Sequence, residues 1–166
     1  MPQTSLDVLK EAILLERRGR AFYLQAAAQS QHQSVREFFE TMAAEEERHM
    51  QVLEEQYKKF SASQSFATLE SMDADRQPLH DIVLSKEAKQ NIEAADFEAA
   101  AISAAMLLEE RAVRLYGAHA ASAEDPNEKA LYAWLARWEQ GHLSFLNDLD
   151  RDIRAAVWND NRFWPF

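Results

Sequence analysis

Cysteine is absent from this 166-residue chain. That excludes disulfides, thiolate-held zinc or iron–sulfur centres, and thiol nucleophiles. Glycine occurs three times and proline four times, too few to punctuate a fold of many short strands. No uninterrupted apolar run approaches the roughly 20 residues that a membrane-crossing helix needs, so no membrane is expected. Basic residues are in the minority, 18 against 28 acidic ones, and the net charge of −10 speaks against nucleic acid and for attraction of cations. The first residues, Met1 to Asp7, show no basic region followed by an apolar stretch, so no signal peptide is expected. A soluble, cytoplasmic protein is the expectation. What the chain does have is abundant Ala, Leu and Glu with little strand-like alternation, which predicts an all-α fold. At this length a single domain, 1–166, has room for a proper core.

Four segments carry helix signals. Thr4 or Ser5 can cap a first helix, with Asp7 in its first turn, running to about Ser30. Ser34 with Glu37 three residues on reads as a capping box for a second, about 35–59. Asp96 can cap a third, about 97–122. Asp125-Pro126-Asn127-Glu128 marks the start of a fourth, about 126–156, with a capping Asp before a proline in the first helical position. Short connections predict two antiparallel hairpins. From about 61 to 95 the pattern dissolves: Ser, Asp and Gln accumulate, Pro78 breaks any helix, Ile82-Val83-Leu84 is a short apolar patch, and 85–93 can form a brief helix. A stretch this long makes sense as a crossover along a bundle of roughly 40 Å. The tail from Trp158 to Phe166 is too aromatic to lie wholly in water. It is expected to fold back on its own bundle or to meet another subunit.

Each helix carries a seam that advances three, four, three, four: Leu9, Ala12, Glu16, Gly19, Tyr23; Phe39, Met42, Glu46, His49, Leu53; Ile102, Ala105, Glu109, Ala112, Tyr116; and Tyr132, Leu135, Glu139, His142, Leu146. That is the spacing of one buried face. Yet every seam holds a carboxylate in its middle, and two of them add an imidazole. Such groups are costly to bury unless something neutralises them. The chain also repeats itself: Glu16 and Glu109 stand 93 positions apart, and the same shift carries Glu46 to Glu139, His49 to His142 and Tyr23 to Tyr116. An internal repeat that aligns every ionisable seam residue points to one shared site.

Three residues apart on a helix, Glu46 and His49 face the same way, so one ion can be met by both. Glu45 also shares a face with His49, but its counterpart under the shift is Trp138, which favours Glu46. Glu47 and Glu110 are expected to face water, and His32, His80 and His119, without counterparts, to lie at the surface. Four carboxylates carry four negative charges, which two divalent ions would cancel. With oxygen and imidazole donors and no thiolate, the set suits iron or manganese, with zinc as another occupant. Tyr23 and Tyr116 are expected to hydrogen-bond ligand carboxylates and orient them.

A Glu from each of two helices with Glu-x-x-His from each of the other two resembles the ferritin-like di-iron superfamily. Within it the chain looks most similar to a rubrerythrin-type diiron domain without a rubredoxin module. The resemblance covers the four helices, about 5–59 and 96–156. It implies a ferritin-like four-helix bundle of two hairpins joined by a long crossover, with two iron ions as cofactor. Glu46 and Glu139 would bridge the ions, Glu16 and Glu109 would be terminal ligands, and His49 and His142 would each cap one ion. It further implies an oxidoreductase of ferroxidase or peroxidase type, using dioxygen or hydrogen peroxide in iron handling or oxidative stress. A non-catalytic, iron-sequestering module is the competing reading.

One departure bears on the chemistry. Peroxide-reducing rubrerythrins usually carry a further helix-three carboxylate one turn after the first, and here that place is Ala112, with Gly19 as its counterpart. The ligand set is therefore symmetric, closer to the ferroxidase centres of bacterioferritin-like proteins. Two small residues there either leave space for dioxygen or peroxide or serve close helix packing. Without a cysteine-ligated rubredoxin module in this chain, the electron donor is expected to be a separate protein or the substrate iron itself. Related proteins are often dimers or larger, so a homo-oligomer, most simply a dimer, is expected.

Overall fold

A computed structural model describes residues 4–72 and 97–159. Four long helices, α1 (Ser5–Gln29), α2 (Gln33–Ser63), α3 (Phe97–Ser122) and α4 (Pro126–Trp158), form a bundle with no strand among the described residues. The α1 start is the expected one. Thr4 Oγ1 accepts the Asp7 N–H at 3.3 Å while the Asp7 carboxylate accepts the Thr4 N–H at 3.2 Å, satisfying two donors that the helix leaves free. At α4 the Asp125 carboxylate accepts the N–H groups of Asn127 and Glu128 at 2.8 and 3.0 Å. Pro126, which has no N–H to satisfy, takes the first helical position.

The α2 start differs from the expectation. Ser34 lies inside the helix, the capping position belongs to His32, and no side chain caps it. The short turn from α1 brings the chain into the helix two residues early. It is fastened by other means: Arg36 donates to the Ser30 carbonyl at 3.1 Å, and the buried Glu98 of α3 accepts the Gln31 N–H at 2.9 Å. α2 also runs past its expected end to Gln64, which adopts a left-handed conformation, φ 53°. The buried Gln56 then fixes the departing chain, donating to the Ala67 carbonyl and accepting the Ala67 N–H, both at 3.0 Å. A single 3-10 turn, Leu69–Met72, follows. The rest of the expected crossover lies outside the described residues, with its brief helix at 85–93, His80 and the Asp96 cap. So does the tail beyond Asn159. No described helix is long and apolar enough to cross a membrane.

α1 packs along α2 and α3 along α4 as two hairpins, and α1 meets α3 across the bundle. The apolar core is split. One cluster gathers Tyr23, Phe39, Met42, Ile102, Ala105 and Leu146; the other gathers Leu9, Leu53, Tyr116, Tyr132 and Leu135. Between them lies the layer that holds the seam carboxylates and histidines. The bundle is thus two greasy ends around a polar middle.

The α4 cap supplies a direct check on this architecture. Asp125→Ala removes both hydrogen bonds and should lower stability by about 1 kcal/mol, read as a lower urea midpoint with unchanged slope. An unchanged midpoint would mean that Pro126 alone sets the helix start.

Candidate metal centre

The three-four spacing places one carboxylate of every helix at the level where the four seams converge. Glu16, Glu46, His49, Glu109, Glu139 and His142 are all at most 4% exposed. Their donor atoms form two overlapping quartets: Glu16, Glu46, His49 and Glu139, then Glu46, Glu109, Glu139 and His142. Within each quartet every residue offers one donor atom that lies within 4.8 Å of the others'. Glu46 and Glu139 belong to both. All six residues singled out from the sequence therefore meet at one place, and the four carboxylates divide into two shared and two outer ones.

Both imidazoles turn Nδ1 toward the carboxylates. His49 Nδ1 lies 3.1 Å from Glu16 and 2.8 Å from Glu139, while His142 Nδ1 lies 3.0 Å from Glu139 and 3.7 Å from Glu109. Proximity does not become hydrogen bonding throughout. Both oxygens of Glu139 and Nδ1 of His142 are buried there without a properly aligned hydrogen bond. Orphaned buried polar atoms are rare and call for a partner. Oxygen and nitrogen donors that converge without satisfying one another have the geometry of groups aimed at a common ion. The residues present fit a pair of divalent metal ions.

The two tyrosines hold the outer carboxylates, but crosswise. The Tyr23 hydroxyl of α1 donates to Glu109 of α3, and the Tyr116 hydroxyl of α3 donates to Glu16 of α1. Seven residues of helix separate Tyr23 from Glu16 by about 10 Å, too far for a hydroxyl, whereas the antiparallel neighbour brings its carboxylate alongside. Burial first, then the surrounding carboxylates, raise both phenols well above their ordinary range. They remain donors.

Electrostatics in the metal-free cluster follow from who faces whom. Burial opposes a charge on Glu139, but His49 and His142 on either side hold its carboxyl well below the usual range. Burial likewise opposes protonation of the imidazoles, yet Glu139, helped by the outer glutamates, lifts His49 to about 9 and His142 to about 10. Glu46 has no such help. Burial and then the charge of Glu139 push it well up. Glu109 rises to about 7 through burial and Glu139, with His142 resisting. Without metal, protons do the balancing.

The neighbouring acids fall where they were expected. Glu45 belongs to neither quartet, Glu47 pairs with Arg20 at 2.7 Å near the surface, and Glu110 is exposed beside Arg114 at 3.7 Å. His32 and His119 are half-buried rather than fully at the surface, and His119 packs on the Tyr132 ring at 5.4 Å. The sequence reading missed the indoles. Trp134 and Trp138 set their rings nearly perpendicular to His49, at 5.6 and 5.4 Å, and seal that side from water. Their four-residue spacing on α4 was the available signal. Between α1 and α3 a cavity of about 20 Å³ reaches the centre, lined by Gly19 and Ala112, Leu15 and Leu108, and the four carboxylates. It has room for about one water-sized molecule.

The family model for rubrerythrin matches residues 7–150. The chain belongs to the rubrerythrin family, a ferritin-like di-iron family. The matched span takes in all four helices and all six clustered residues. No curated protein and no solved structure matches the chain.

Two outcomes test this rubrerythrin-family centre. Metal must displace the protons that balance the free cluster. Loading two divalent ions at pH 7 should therefore release about three to four protons, measured by calorimetry in buffers of different ionisation enthalpy. Affinity should climb as pH rises and level off once both imidazoles, at about 9 and about 10, are neutral without metal. Separately, Tyr23→Phe or Tyr116→Phe frees one outer carboxylate and should weaken metal binding about tenfold while the helical content stays unchanged. Undiminished affinity would remove the tyrosines from the orienting role.

Proposed function

We propose that this rubrerythrin-family chain is an oxidoreductase that holds two iron ions and acts on dioxygen or hydrogen peroxide. The observation that carries the reading is the pair of overlapping quartets sharing Glu46 and Glu139. On this reading Glu16 and His49 serve one ion, Glu109 and His142 the other, and the two shared carboxylates serve both; manganese or zinc would fit the same donors. Two iron ions would supply one-electron redox steps and coordination positions open to a small oxidant.

The chain's own groups supply the rest. Tyr23 and Tyr116 hold Glu109 and Glu16 in place. The apolar clusters at both ends, with Trp134 and Trp138 against His49, keep bulk water away and strengthen every charge interaction within. The cavity between α1 and α3 opens onto the four carboxylates and would give an ion or a small oxidant room there. With no cysteine in the chain, electrons would come from a separate donor protein or from iron(II) as substrate. A cytoplasmic homodimer is the setting proposed with this activity.

Anaerobic loading with iron(II), followed by dioxygen or peroxide, tests the proposal. Two irons per chain and rapid growth of near-ultraviolet ferric absorbance are expected. Binding of two irons without oxidation would give the sequestering reading instead, and failure to bind two would sink both. Glu46→Ala, which removes a member of both quartets, should abolish the two-iron stoichiometry.

A further inference from the structure

The repeat makes Glu46 and Glu139 counterparts, yet the structure does not treat them alike. Glu139 is held tightly between the imidazoles, Oε1 at 2.8 Å from His49 Nδ1 and Oε2 at 3.0 Å from His142 Nδ1. Glu46 also spans the two rings but stands back, at 3.9 Å from His49 Nδ1 and 3.8 Å from His142 Nδ1. What lies behind Glu46 is Gly19. A methyl placed on Gly19 would come within 3.3 Å of the Glu46 carboxyl carbon and 3.4 Å of Oε2, tight enough to push it forward. At the counterpart position the chain carries Ala112, which has that methyl.

A glycine inside a 25-residue helix weakens it relative to alanine, and Ala112 shows that a seam of this kind accepts alanine. The room at Gly19 is therefore used, and its user is Glu46. Gly19, Ala112, Glu46 and Glu139 all line the same cavity between α1 and α3, so a small molecule arriving there meets one shared carboxylate close to both imidazoles and one that rests against the bare backbone of a glycine.

We propose that Glu46 is the shared carboxylate that gives way when a small anion or oxidant binds at the centre, and that Gly19 is the positioning residue that lets it. Glu139 stays as the fixed member of the pair. The repeat thus builds a symmetric ligand set, and one missing methyl makes it directional. This rests on the metal-centre reading.

The test uses cobalt(II) as metal and azide as probe, on the full chain. Cobalt stoichiometry is read by titration calorimetry and azide affinity by visible absorbance of the cobalt-loaded protein. Gly19→Ala raises helix propensity, so it should fold at least as firmly, checked by thermal unfolding. It should still bind two cobalt ions but take azide at least tenfold more weakly. Ala112→Gly, which removes the counterpart methyl, should leave azide affinity within twofold of the parent. The proposal is overturned if Gly19→Ala binds two cobalt ions with unchanged azide affinity, or if it loses a cobalt ion outright, which would make the glycine a requirement for ligation. It is overturned equally if Ala112→Gly changes azide affinity as strongly. If the parent chain itself fails to bind two cobalt ions, the metal-centre reading fails, and this proposal falls with it.

Discussion

Everything in this bundle answers to one constraint: four carboxylates and two imidazoles stand in the middle of an apolar interior. Each ion taken out of water costs several kcal/mol after relaxation. Such a layer persists only if its charges cancel and if the rest of the fold outweighs the remaining penalty. Cancellation without metal is partial and uses protons, with both imidazoles charged against Glu139 and with Glu46 driven toward its neutral form. The outweighing comes from the two apolar clusters at either end, where large side chains such as Phe39, Leu53, Ile102 and Leu146 are fully removed from water.

The repeat explains why so short a chain can build so demanding a layer. One helical hairpin supplies a carboxylate on its first helix and a Glu-x-x-His on its second. A second copy, facing it, completes both quartets at once. The crosswise tyrosines make the copies interdependent, since each half holds its partner's outer carboxylate rather than its own. Neither hairpin can lose its seam without loosening the other. The copies differ at many positions, among them Tyr132 where the other half has Phe39, Trp138 where it has Glu45, and Ala112 where it has Gly19. These substitutions spare the six clustered residues and alter only what surrounds them.

Much of this was legible in the sequence, and for physical reasons. Seam residues on a helix must recur at three and four, so an ionisable residue at such a position announces that it is buried. Two copies of the pattern remove the ambiguity between Glu45 and Glu46 that one copy leaves. Caps were legible where the cap bond is local, as at Thr4 and Asp125. Ser34 misled because its turn is fixed by distant groups, Arg36 on Ser30 and Glu98 of α3 on Gln31, which no local motif reveals. The tyrosine partners needed the third dimension too: spacing along one helix places the hydroxyl near the right layer, but only the antiparallel neighbour decides which carboxylate it meets. The unequal standing of Glu46 and Glu139 was beyond reach, because a difference of about an ångström between counterparts arises from packing.

That inequality bears on whether the centre stores or turns over. A storage site gains most from donors that close around the ion and stay closed. Here one shared carboxylate is clamped between two imidazoles while the other leans into space left by a glycine, beside a cavity with room for a single small molecule. Such room lowers packing and helix propensity and adds nothing to affinity. On the proposed reading, such room suits a centre whose coordination changes. The electron donor proposed for it lies outside this chain, which has no cysteine to hold a second cluster. On the proposed reading, then, the bundle is the half of a redox system that binds the oxidant, and it meets its electrons from outside.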